Sequence, residues 1–79
     1  MVRNDGAEAR KQRIQEIIKG IASKLNQGEN VFLSSTVVEI QYGYGLTQRT
    51  ANEYIEIGEK MKRYKIDKLD DRIKQIGDN

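Results

Sequence analysis

Gln48, Arg49 and Asn52 are the residues of this chain best equipped for selective hydrogen bonding. Arg49 carries a planar fork of donors that matches two acceptors side by side, as on a guanine edge. Gln48 and Asn52 each present a donor beside an acceptor, the pattern an adenine edge answers. Arg49 and Asn52 are three apart, so on a helix they share a face, with Gln48 beside them. Covalent chemistry has far less to work with. The chain has no histidine and no cysteine, hence no imidazole base, no thiol nucleophile and no soft ligand for zinc or copper. Asp70 and Asp71 are neighbours, and a helix would splay them by about 100° instead of converging them on one reacting atom. They read as solvated carboxylates of a polar turn. The expectation is no enzyme, no cofactor and no metal.

The segment that must position the three polar residues is YGYGLTQRTANEYI, residues 42 to 55. Gly43 and Gly45 end the helix before it, and glycine takes the positive φ of an abrupt reversal without steric cost. Thr47 is a good cap for a helix from Gln48 to at least Met61. On that helix Ala51, Tyr54, Ile55, Ile57, Gly58 and Met61 form one arc, which packing explains. Gln48, Arg49, Asn52, Glu53, Glu56, Lys60 and Arg63 form the other. Arg49 with Glu53, and Glu56 with Lys60, have the i, i+4 spacing of surface ion pairs. Glu56 and Glu59 would repel phosphates, so only the first turn or two of this helix suits contact with a polyanion.

Three further elements complete the frame. Asn4 or Asp5 can cap a helix through GAEARKQRIQEIIKGIASKLNQ, whose Ile14, Ile17, Ile18, Ile21 and Leu25 make one apolar stripe. Gly20 in its middle suggests that another element packs closely there. Val31, Phe32 and Leu33 suit one brief strand. Ser34 or Ser35 then caps a short helix with Val37, Ile40 and Tyr44 on one side, and Tyr42 and Tyr44 as edges of the core. The tail RYKIDKLDDRIKQIGDN admits two readings. Ile66, Leu69, Ile73 and Ile76 fit a fourth helix, whereas Tyr64 and Ile66 alternate with charges as in a strand, and KLDD can turn the chain into a second strand at RIKQI. Tyr64 either covers the end of the core or lies outward along a sugar-phosphate backbone.

A chain of 79 residues with 37% hydrophobic and 33% charged residues can build one thin core and no more, so residues 1–79 read as a single domain with a flexible start at 1–9. No stretch approaches the roughly 20 apolar residues of a membrane span, and the start lacks an apolar signal region, so no membrane partner is expected. The net charge of +2 is too small to name a partner. Its distribution is more informative: KMKRYKIDK holds five basic residues against one acid, and Arg10, Lys11 and Arg13 cluster near the start.

With these residues in place, IQYGYGLTQRTANEYI resembles the helix-turn-helix of small archaeal-type winged-helix DNA-binding proteins, in which a GLT-x-R-T corner opens the recognition helix. The resemblance spans roughly residues 10 to 66. It implies a mainly α fold with a small β component, a three-helix core of winged-helix type, with residues 64–79 as the wing; the alternative is all-α with a fourth, C-terminal helix. It also implies that Ile40, Tyr44, Leu46, Ala51 and Tyr54 pack, that Gly45 is the turn glycine, and that Gln48, Arg49 and Asn52 face bases. Thr47, Lys60, Arg63, Lys65, Lys68 and Arg72, with Lys74, are the expected phosphate contacts. Gln41 departs from the pattern, which has a small residue four before the turn glycine. The expected function is sequence-specific binding of double-stranded DNA as a small cytoplasmic, nucleoid-associated transcriptional regulator, with a homodimer as one form. The competing expectations are a protein-interaction adaptor on the same helical core and non-specific nucleic-acid binding.

Overall fold

The computed structural model describes residues 5–76. Three helices, α1 (Asp5–Asn26), α2 (Leu33–Tyr44) and α3 (Gln48–Lys60), carry most of the chain. Three short strands, β1 (Val31–Phe32), β2 (Lys65–Asp67) and β3 (Arg72–Lys74), form a small antiparallel sheet in the order β1-β3-β2. The tail is therefore the hairpin and not the fourth helix. Ile73 pairs with Val31 on one side and Ile66 on the other and is buried, whereas Leu69, which a helix would have turned inward, is 99% exposed at the hairpin turn. Residues 5–9 belong to α1; the rest of the expected flexible start, 1–4, lies outside the described residues, and with it Asn4, the other candidate cap.

Each helix contributes the stripe its periodicity requires. Ile17, Ile18, Ile21 and Leu25 of α1 meet Val37 and Ile40 of α2 and Ala51, Tyr54 and Ile55 of α3, with Val31 and Ile73 closing the core from the sheet. Ile14, at the outer end of the α1 stripe, is only partly buried. Gly20 meets no neighbouring atom within 4 Å, so close packing is not why it is there. Close packing occurs instead at Gly58, where an added Cβ would overlap the ring and hydroxyl of Tyr64. Tyr64 is 0% exposed and donates a 2.7 Å hydrogen bond to the Ile55 carbonyl, which places it in the core and not on a backbone-facing surface.

The helix ends show what stops each element. Gly43 lies within α2; Gly45 alone makes the corner, with φ 68° and its amide donating to the Gln41 carbonyl, to which Leu46 also donates at 3.0 Å. Gln41, half-buried, therefore does not prevent the reversal. Tyr42 is 86% exposed and does not edge the core; Tyr44, 38% exposed, lies at its margin beside Ile17, Ile21 and Ile40, its hydroxyl donating weakly to Glu16 at 3.5 Å. At the end of α3, Lys62 takes the left-handed conformation (φ 62°), and the amides of Lys62 and Arg63 donate back to the carbonyls of Glu59 and Gly58. That six-residue loop-back reverses the chain after α3.

The start of α2 differs from the expected serine cap. Leu33 is already helical, the capping position is Phe32, and no side chain of the helix's own caps it. Asp71, across the fold in the hairpin, supplies the acceptors: its carbonyl takes the Leu33 amide at 2.8 Å, and its carboxylate takes the amide and the hydroxyl of Ser34 at 2.9 and 2.6 Å. Asp71 is thus a structural acceptor and not a solvated turn residue.

Candidate nucleic-acid interface

The interface is built from the corner outward. Thr47 has extended backbone (φ −76°, ψ 162°), and its hydroxyl accepts the Thr50 amide at 3.2 Å, fixing where α3 begins. The amides of Gln48 and Arg49 come too early in the helix for an intrahelical acceptor, and the positive end of the helix favours an anion beside them.

Arg49 is exposed. Ion pairs among the described residues join Lys24 to Glu39, and Lys74 to both Asp67 and Asp70; the Arg49–Glu53 and Glu56–Lys60 pairs that the spacing allows are not formed. Gln48 and Asn52 lean toward a groove between α2, the start of α3 and the hairpin turn, which they line with Gln41, Val38, Ser34 and Asp71. Gln48 is exposed and Asn52 is half-buried. The three residues are thus adjacent and reachable, with Arg49 outside the groove that the other two line. Glu59 is not on this surface: its carboxylate accepts the Ile66 amide at 2.9 Å and covers that part of β2. Glu53 and Glu56 do remain along α3.

The expected phosphate contacts divide. Lys60, Lys65 and Lys68 are exposed, and Thr47 is exposed beside the helix start. Arg63 is not on the outer face of α3, because the reversal at Lys62 carries it to α1, where it lies with Gln15, Ile18 and Lys19. Arg72 is turned sideways: its Nη2 donates to Asn30 Oδ1 at 2.8 Å and its guanidinium sits 5.3 Å from the Phe32 ring centroid. Lys74 is occupied by Asp67 at 3.0 Å and Asp70 at 3.4 Å. The hydrogen bond from Lys74, and then that from the Asp70 amide, hold the Asp67 carboxyl below the usual carboxylate range; the same pairing, Asp67 first, holds the Lys74 ammonium above its usual value. The hairpin therefore offers Lys65 and Lys68 to a ligand, with its aspartates engaged internally.

Asp71 is the residue that reading along the chain missed. It borders the same groove as Gln48 and Asn52 while bonding Ser34. Its partner lies 37 residues away, so no local spacing announces it.

Among the described residues no group of three or more His, Cys, Asp or Glu can hold a metal ion, and no helix is long and apolar enough to cross a membrane. Comparison with family models, curated proteins and solved structures finds no match.

Proposed function

We propose that this chain binds double-stranded DNA sequence-specifically, without catalysis, as a small transcriptional regulator associated with the nucleoid. The first turns of α3 enter the major groove, with Arg49 donating to a guanine and Gln48 and Asn52 contacting neighbouring base edges. Lys65 and Lys68 of the hairpin and Lys60 of α3 meet phosphates. One observation carries the reading: Arg49 stands exposed at the second position of a capped helix, without a carboxylate partner among the described residues.

Selection of bound sites from a random duplex pool, followed by titration of the recovered site, tests it. Arg49→Ala is expected to cost about 1 to 3 kcal/mol on that site and to relax preference at one base pair. Unchanged titrations would remove Arg49 from base reading. The presence of Glu53 and Glu56 on α3 favours a second reading, a protein-interaction module, which predicts recovery of no preferred sequence and elution from a DNA column at very low salt.

A further inference from the structure

We propose that the groove between the first half of α1 and the end of α3 docks an acidic amphipathic helix from a partner protein. This inference does not rest on the DNA-binding reading. The groove has a volume of about 400 Å³; Ile14, Ile57 and Met61 form its floor with Ala7 beside them, and Arg10 and Lys11 form its rim. Past Gln15 and Met61, which belong to both, it continues into a second hollow of about 290 Å³, where Ile18 supplies the floor and Lys19 and Arg63 the flanks.

The charge pattern identifies the occupant. Every charged side chain along this trough among the described residues is cationic, in a chain whose 14 basic and 12 acidic residues nearly balance. None of the four is in an ion pair within the described residues. Arg10 lies 5.8 Å over the Tyr54 ring, which holds its charge at the wall of the trough. Met61 is 50% exposed, and its flexible thioether suits an adaptable apolar contact. A trough walled by two helices, apolar below and positive at the rim, accepts a helix that buries a stripe of apolar anchors and carries carboxylates on its flanks.

A second copy of this chain fits poorly. Its own α1 presents Arg10, Lys11 and Lys19, and on α3 the exposed Glu53 and the half-buried Glu56 lie one turn from Arg49, Asn52 and Lys60, with no exposed apolar stripe between them. Ile57 and Met61, which line the groove, follow Gln48 by nine and thirteen residues, roughly 14 and 20 Å along the helix axis. A partner helix held there leaves the start of α3 accessible.

The probe is a fluorescein-labelled helical peptide of about four turns, with leucines at i, i+3, i+4 and i+7 and glutamates on both flanks, titrated against the full chain by anisotropy. Saturable, salt-sensitive binding is expected, weakened about tenfold by Met61→Glu and about tenfold by Lys11→Glu. A peptide with lysines in place of the glutamates is expected to bind the double variant Lys11→Glu, Arg63→Glu better than the unaltered chain. Absence of binding, equal binding of a peptide with serines for leucines, or indifference to both Met61→Glu and Lys11→Glu would overturn the proposal. So would a dimer in sedimentation that Met61→Glu dissociates, which would assign the groove to a second copy. Co-sedimentation with phosphatidylserine vesicles that Met61→Glu abolishes would assign it to anionic lipid and overturn the proposal equally.

Discussion

The carboxylate of Asp71 caps a helix whose first residue lies 38 positions earlier: both the amide and the hydroxyl of Ser34 donate to it, at 2.9 and 2.6 Å, while Leu33 donates to its carbonyl. One residue thereby ties the hairpin to the start of α2 and borders the groove beside Gln48 and Asn52. It does so in a left-handed conformation, φ 56°, which Asp tolerates better than most residues. Asp71→Gly removes the carboxylate without adding backbone strain and is expected to lower unfolding stability by about 1 kcal/mol, the usual worth of a cap. Asp71→Ala adds the left-handed penalty and is expected to cost more, about 2 kcal/mol. Urea melts of the two variants check the order. Equal stability of both to the parent would show that the tie carries no free energy.

Gly58 and Tyr64 form a matched pair, the absent Cβ making room for the ring and hydroxyl. Gly58→Ala is expected to destabilise by about 1 to 3 kcal/mol through overpacking, although alanine is the better helix former. Tyr64→Phe leaves the ring in place and is expected to cost about 1 kcal/mol through the lost hydrogen bond to Ile55. Burial, first, and Glu59, second, push the Tyr64 phenol up, with Arg63 opposing. A raised value means the fold prefers the neutral phenol: its contribution is complete below the ordinary value of about 10 and is lost as pH rises above it. The stability advantage of the parent over Tyr64→Phe should therefore narrow in melts carried above about pH 10. A constant advantage would show that the phenol is not held neutral.

Much of this arrangement was legible along the chain. The α1 stripe, a glycine corner before α3, the Thr47 cap and the inward face of Ala51, Tyr54, Ile55 and Gly58 all follow from spacing within one or two turns, and the structure has each of them. Met61, on the same projected arc, is 50% exposed because α3 ends just before it. The tail was ambiguous because Ile66, Leu69, Ile73 and Ile76 satisfy a helical period as well as two short strands. Pairing of Ile73 with Val31, 42 residues earlier, decides it, and no local pattern contains that contact. The same limit hid the Asp71 cap. Arg63 was misplaced for a different reason: projecting it around α3 assumes the helix continues, and a lysine at the left-handed position after its end gives no warning in sequence. For Gln48, Arg49 and Asn52 the sequence supplied the types and the shared neighbourhood, but not the lean of Asn52 into the α2 groove.

Lys62 holds the left-handed position of the loop-back after α3, where glycine is the usual occupant. Its side chain is exposed, so replacement removes no buried contact. Lys62→Gly is expected to raise stability by about 0.5 to 1 kcal/mol, the relief of left-handed strain exceeding the extra freedom of glycine in the unfolded chain. A thermal melt shows it as a higher midpoint. A lower midpoint would mean that the lysine side chain makes a stabilising interaction beyond its backbone role.

Lys68 and Arg72, four apart in the hairpin, are expected to behave differently although both were candidate phosphate contacts. Lys68 is exposed beside Leu69 and takes part in no ion pair among the described residues. Arg72 spans β3 and the approach to β1 through Asn30 and the face of Phe32. On the proposed DNA-binding function, Lys68→Ala is expected to reduce the slope of log affinity against log salt by about 0.9, the release of one counterion, and to leave the melting temperature unchanged. Arg72→Ala is expected to leave that slope intact and to cost about 1 kcal/mol of folding stability, through the lost hydrogen bond and cation–π contact. Parallel salt titrations and melts separate the two. If Arg72→Ala flattened the salt dependence as much as Lys68→Ala, its guanidinium would have to leave Phe32 when DNA binds, and the hairpin would be a moving part of the interface instead of a preformed one.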